Sequence, residues 1–419
     1  MITKEFHKLK RSLYSDLLED GSVGFVFSGR EREDRGDLMH RFTPNANFYY
    51  LTGFTQPKAV LMVTKTAEKV REELFIDHPD EKAKRWLGLF YTKESVQEDT
   101  GIENVEYLEK FEEALPFLRH PDRVRHVYID LENWEGTFSM NEAQRFAARV
   151  LKYNPTLQMH NSFHHLALMR QVKSAKEIAL HRKACDITTK GVENILAHLH
   201  PDMYEYEIEA YFDYTLRSMN ARHAFPTIAA SGINACCMHY EDNNRKLQDG
   251  DMILFDLGAE WGYYASDVSR TFPVNGRFTQ QQKELYNVVL KGLDAAIAAS
   301  KPGQPKEELQ ELSKSVMADE LIRLGYMKKP DEISKYYFHG SGHYIGLYAH
   351  DVGENDVPLE ENMMFTLEPG LYFDDLKLGI RIEDTLLVTR DGCEVLSGGI
   401  PKTVEEIEEF MARHNLRQS

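Results

Sequence analysis

The stretch ILFDLGAEWGYYASDVSRTFP, Ile253–Pro273, sets two aspartates into an otherwise apolar, glycine-punctuated run. Asp256 follows Met252–Phe255, long enough to be a buried strand, and precedes Gly258, where the backbone can turn. Alone, an aspartate at a strand end is ordinarily a turn former. Asp267 comes eleven residues later, so a hairpin between the two would bring the acids together. Three more ligand-type residues occupy comparable settings: His343 in FHGSGHYIGLYAHDVG, Glu368 in MFTLEPGLY and Glu383 in LGIRIEDTLLV. Moving an ionised carboxylate into such surroundings costs several kcal/mol, comparable to the stability of a domain. Each acid must therefore be paired, protonated or metal-bound. Four converging carboxylates repel one another unless cations lie between them, which points to a centre for two metal ions.

Each position also has a plainer reading. Glu383 alternates in IRIED with Ile380 and Ile382 on one face and Arg381 beside it on the other, which fits a surface ion pair equally well. Glu368 precedes Pro369-Gly370 and so sits at the end of a strand. His339 and His343 have the spacing of a zincin helix, but Gly340, Gly342 and Gly346 oppose a helix and the accompanying glutamate is missing. Those glycines instead let backbone approach the imidazoles closely. His350 follows in the same segment and His239 lies upstream in CCMHYEDNN, so several histidines surround the acids.

At 419 residues the chain is long enough for two domains. A hydrophobic content of 42% with 28% charged residues is that of a globular protein. The net charge of -17 opposes a nucleic-acid surface, and no run of apolar residues is long enough to span a membrane. Four cysteines without a disulfide framework or C-x-x-C spacing, and an N-terminus without the apolar core of a signal peptide, predict a cytoplasmic protein. GFVFSG, FYYLTGF, AVLMVT, ELFID and HVYID read as short strands, followed by a helix over MNEAQRFAARVLKY. This predicts an α/β domain over 1–161. Within 162–419, two amphipathic helices precede the strands carrying Asp256 and Asp267, and two more precede the strands carrying Glu368 and Glu383. The repetition predicts two related halves closing on one site.

The order Asp256, Asp267, HGSGH, EPG, RIED resembles the pita-bread metallopeptidases, and within them aminopeptidase P and prolidase. NANFYYLTGF and KRWLGLF are similar to the creatinase-like domain that precedes the catalytic domain in that group. The resemblance implies an α+β protein: an N-terminal α/β creatinase-like domain followed by a pita-bread fold with pseudo-twofold halves. It implies that Asp256, Asp267, His343, Glu368 and Glu383 hold two divalent ions, with Asp267 and Glu383 bridging. Oxygen-rich sites with one imidazole suit manganese, and cobalt or zinc can substitute. It gives Glu368 a second role as proton shuttle, His239 and His350 roles in binding substrate and stabilising the oxyanion, and His339 and Arg381 places at the substrate. Trp86 would reach the active site of a neighbouring subunit, making the protein a homodimer or a dimer of dimers. The implied activity releases the residue before proline from a peptide. The short connection PGLYFDDLKLGIRI between Glu368 and Glu383 leaves a prolidase acting on dipeptides as the alternative, and a non-catalytic pita-bread binding protein as a remoter one.

Overall fold

The structure is a computed structural model and describes residues 2–120, 123–132 and 139–414. It divides into two compact units, Met1–Met169 and Arg170–Ser419. The break falls after Met169 rather than after Asn161, where the sequence pattern placed it. The helix Phe163–Gln171 begins in the first unit: Leu166 is buried there, and the Tyr50 hydroxyl donates to the Met169 carbonyl at 2.6 Å.

The first unit is built on a six-stranded mixed sheet, ordered Asn104–Tyr107, Val70–Ile76, Val60–Lys65, Ser22–Phe27, His126–Ile129, Gln158–Asn161. One face is closed by a cluster of aromatic side chains, with Phe25, Phe75, Phe111 and Phe146 packed edge to face. Of the expected strands, FYYLTGF is a helix, Ala46–Thr52. Its aromatic residues favour strands by propensity, but the local signals favour a helix. The Asn45 side chain accepts from the Phe48 amide, and Gly53 closes the end in the left-handed conformation. Every residue between is buried, so tertiary packing overrides strand propensity.

The second unit repeats one plan twice. The helices Ala175–His198 and Glu205–Ser218 precede the three-stranded sheet Ile228–Ser231, Met252–Leu257, Val268–Pro273. The helices Gln280–Ala299 and Lys306–Arg323 precede the strands Met364–Leu367, Gly370–Phe373, Leu378–Arg381 and Asp384–Val388. The leading helix of each pair starts with a capping box, Ser174 with Glu177 and Thr279 with Gln282. Each also carries a glycine against its partner helix. A Cβ at Gly191 would lie 2.3 Å from Phe212, and one at Gly292 would lie 2.6 Å from Met317. The repetition expected from the sequence is thus present down to the way its helices pack. The two halves are joined strand to strand: the Glu383 amide donates to the Ser269 carbonyl at 2.9 Å, and the Thr385 hydroxyl to the Asp267 carbonyl at 2.7 Å. That seam carries the acids.

Candidate metal centre and catalytic site

Asp256 lies in the strand Met252–Leu257, which pairs antiparallel with Val268–Pro273, Asp256 opposite Ser269. The intervening chain folds back as the hairpin Ala259–Trp261 and Tyr264–Ala265, turned by Gly262 and Tyr263, both with positive φ. This is the hairpin the spacing of the two aspartates predicts. Glu368 and Glu383 each sit at a break between two strands of the second half. His343 lies in an irregular glycine-rich segment, not a helix; a Cβ at Gly342 would lie 1.9 Å from the Thr366 carbonyl oxygen, so only glycine permits this approach.

These elements bring five ligand-type side chains together. His343 Nε2 lies 3.4 Å from Asp267, 3.8 Å from Glu383 and 3.9 Å from Glu368. His343 Nδ1 is 3.1 Å from the Tyr344 carbonyl, which can only accept, so Nδ1 carries the proton and Nε2 is free to act as ligand. Donor atoms close enough to share one ion occur as Asp256, Asp267 and Glu383, as His343, Glu368 and Glu383, and as Asp267, His343 and His350. Asp267, His343 and Glu383 each belong to two of these groups, so the groups overlap in a single cluster.

Without cations the arrangement is unfavourable. Asp256 and Asp267 each bury a carboxylate oxygen that has no hydrogen-bond partner among the described residues. Burial, and then the neighbouring Glu383 carboxylate, push Asp267 and Glu368 well above the usual carboxylate range. Burial, and then Asp256, push Glu383 up to about 7. Four converging carboxylates with one imidazole, only partly compensated by Arg381, fit two hard or borderline divalent ions.

The expected helpers surround this cluster. His239, His339, His350 and Arg381 line the same cavity, of about 490 Å³, together with Phe225, Pro226, Ile228 and Met238. The His350 ring packs edge-on to His343 at 4.2 Å. Burial and the neighbouring His343 lower its pKa, which keeps it neutral near pH 7. Burial lowers His339 to about 4, and both its nitrogens are engaged, Nδ1 with the Gly340 carbonyl and Nε2 with the Tyr372 hydroxyl. Arg381 is buried and its donors are committed: Nε to Ser269 at 2.8 Å, Nη1 to Tyr372 at 3.2 Å and Nη2 to Asp256 at 2.6 Å. It is therefore no surface partner of Glu383, and its charge fixes Asp256. Trp86 lies in the other unit, on the helix Glu81–Leu87, and is 79% exposed, which rules out core packing in the monomer.

Ser269 and Tyr372 escaped the sequence reading. Ser269 donates to Glu383 at 2.9 Å and accepts from Arg381. Its signal was its position two residues beyond Asp267, just inside the strand Val268–Pro273. Tyr372 carried no comparable signal.

The profile of Metallopeptidase family M24 matches residues 179–390, and that of the Aminopeptidase P N-terminal domain matches residues 7–128. An Xaa-Pro aminopeptidase of Haemophilus influenzae is 32% identical, the match covering 97% of each chain. This chain belongs to the aminopeptidase P family. It is a metallo-exopeptidase with the two-domain α+β fold the sequence implied. Xaa-Pro aminopeptidase 3 of Rattus norvegicus is 31% identical over 90% of this chain and 78% of its own. A solved structure of zinc-substituted aminopeptidase P from Escherichia coli in complex with product superposes with a TM-score of 0.91 at 29% identity, covering 99% of both chains.

Proposed function

We propose that this chain removes the N-terminal residue from peptides whose second residue is proline, with two divalent ions held by Asp256, Asp267, His343, Glu368 and Glu383. The intact convergence of these five side chains at one seam is the observation that carries the reading. The donor set suits manganese, with cobalt or zinc as substitutes. When bound, the ions supply Lewis acidity toward the scissile carbonyl and toward water. The rest of the work falls to side chains. Glu368, as the carboxylate, takes a proton from the attacking water and passes it to the prolyl nitrogen as the C–N bond breaks. His350 and His239 donate to the oxygen that gains charge at the tetrahedral carbon.

An Xaa-Pro bond is a tertiary amide with no N–H, so a pocket for it needs apolar wall and no acceptor for that hydrogen. Phe225, Pro226, Ile228 and Met238 provide such a wall. The exposure of Trp86, and of Phe90 close by in sequence, supports a homodimer, or a dimer of such dimers, in which Trp86 walls the partner's pocket. Among the described residues no helix is long and apolar enough to cross a membrane, and the four cysteines are free; both accord with a cytoplasmic setting.

The test is hydrolysis by the manganese-loaded chain of an Xaa-Pro-Yaa series, of Gly-Pro and Ala-Pro, and of matched peptides without proline. Release of the first residue from the tripeptides alone supports the reading. Cleavage confined to the dipeptides supports a prolidase, the reading favoured by the short hairpin Gly370–Phe373 and Leu378–Arg381 between Glu368 and Glu383. Hydrolysis indifferent to proline overturns both.

A further inference from the structure

A second group of metal-binding side chains lies in the first unit, built from Glu19, His126 and His160. His126 and Tyr128 project from one face of the strand His126–Ile129, whose other face sends Val127 and Ile129 into the core. In the adjacent parallel strand, Gln158–Asn161, His160 is in register with Tyr128 and shares the face of His126. The two imidazoles meet at 3.0 Å, His126 Nδ1 to His160 Nε2, while His126 Nε2 lies 3.5 Å from the Glu19 carboxylate. One donor atom from each residue lies within 4.8 Å of the other two.

The surroundings hold the donors in place. The Tyr128 ring stacks on His160 at 4.5 Å and 14°, and its hydroxyl donates to Glu19 at 3.1 Å. The Glu19 carbonyl accepts from the Ser22 hydroxyl, so the backbone after the helix Lys4–Leu17 is anchored. The Glu19 side chain is itself 57% exposed, so a change of rotamer can carry its carboxylate from beside His126 Nε2 toward the Nδ1 that faces His160. Zinc binds nitrogen and oxygen ligands at about 2.0–2.2 Å, which sets tetrahedral donors roughly 3.3 Å apart, close to the spacing the two histidines already have. The 3.0 Å contact between the two ring nitrogens needs a proton between them, and a cation can take that proton's place.

We propose that Glu19, His126 and His160 form a separate mononuclear site for a borderline divalent cation such as zinc, with solvent in the fourth position. Two imidazoles and one carboxylate favour zinc over manganese, whereas the oxygen-rich seam in the second unit accepts manganese. The ion would tie the end of the first helix to Gln158–Asn161, an edge strand of the sheet.

The test is calorimetric titration of the untagged full-length chain with zinc, in an Asp267→Ala background that weakens the other centre, with and without His160→Ala. Because both proteins share that background, zinc retained at the other centre cancels. The site requires one equivalent fewer in the His160→Ala protein, and a zinc-induced rise in melting temperature smaller than in its parent. Since His160 supports an edge strand, Glu19→Gln serves as a variant that leaves the fold undisturbed, and it should weaken this equivalent at least tenfold. Peptidase activity of the manganese-loaded His160→Ala chain should equal that of wild type. Equal zinc stoichiometry with and without His160→Ala, or unchanged affinity in Glu19→Gln, overturns the proposal.

Discussion

Glu383 holds its proton up to about pH 7 in the metal-free fold, against an ordinary value near 4.5, and Asp267 and Glu368 are raised as well. The folded apoprotein therefore binds more protons than the unfolded chain across that window, and its stability falls as pH rises through it. The melting temperature of chelated protein should drop between about pH 4.5 and 7, reflecting a loss on the order of a few kcal/mol. With metal bound the drop should vanish, because the ions replace the protons. A flat profile for the apoprotein would show that these carboxylates do not face one another unpaired. His350 separates helper from ligand. His350→Ala should keep both ions while losing about 2–4 kcal/mol of transition-state stabilisation, roughly 30- to 1000-fold in kcat/KM. Loss of metal by elemental analysis would make it a ligand instead.

At the scale of elements, one buried carboxylate organises the loop that presents His239. Glu205, fully buried at the start of the helix Glu205–Ser218, accepts from the Ser231 amide and hydroxyl, the Asn234 amide group, the Tyr240 hydroxyl and the Arg245 amide. These bonds fix both ends of residues 231–245, between which Met238, His239 and Glu241 reach the cavity. Hydrogen bonds to charged acceptors contribute about 1.5–3 kcal/mol each, so Glu205→Ala should destabilise the protein by at least about 3 kcal/mol in denaturant melts. It should also lower kcat/KM at least tenfold with metal content unchanged. Wild-type kinetics in a destabilised variant would mean that the loop holds His239 without this anchor. The sequence could not reveal Glu205, because its partners lie as far away as Arg245 and no local pattern marks a buried acceptor. The acids at the strand breaks were legible because strand alternation and turn residues are local. FYYLTGF misled for the same reason: its caps, Asn45 and Gly53, were weaker signals than its aromatic residues.

At the scale of the molecule, the repeated plan of two helices and then strands could be read from periodicity, and it accounts for a site at the seam between halves. The fate of Trp86 could not, since 79% exposure becomes informative only once the fold is known. If Trp86 completes a neighbour's pocket, Trp86→Ala should raise KM or lower kcat several-fold with metals and fold intact. Mixing it with inactive Asp267→Ala should then restore part of the activity through hybrid dimers. A fully active monomer in sedimentation would contradict this arrangement. The central claim is that Asp256, Asp267, His343, Glu368 and Glu383 jointly hold two ions on which hydrolysis depends. The most direct measurement is bound metal per chain, determined with turnover on an Xaa-Pro-Yaa peptide, for wild type and Asp267→Ala after identical manganese loading. The account predicts two ions and activity in wild type, against weakened binding of both ions and a loss of turnover by orders of magnitude in the variant. Full metal content with near-wild-type turnover in Asp267→Ala would contradict it.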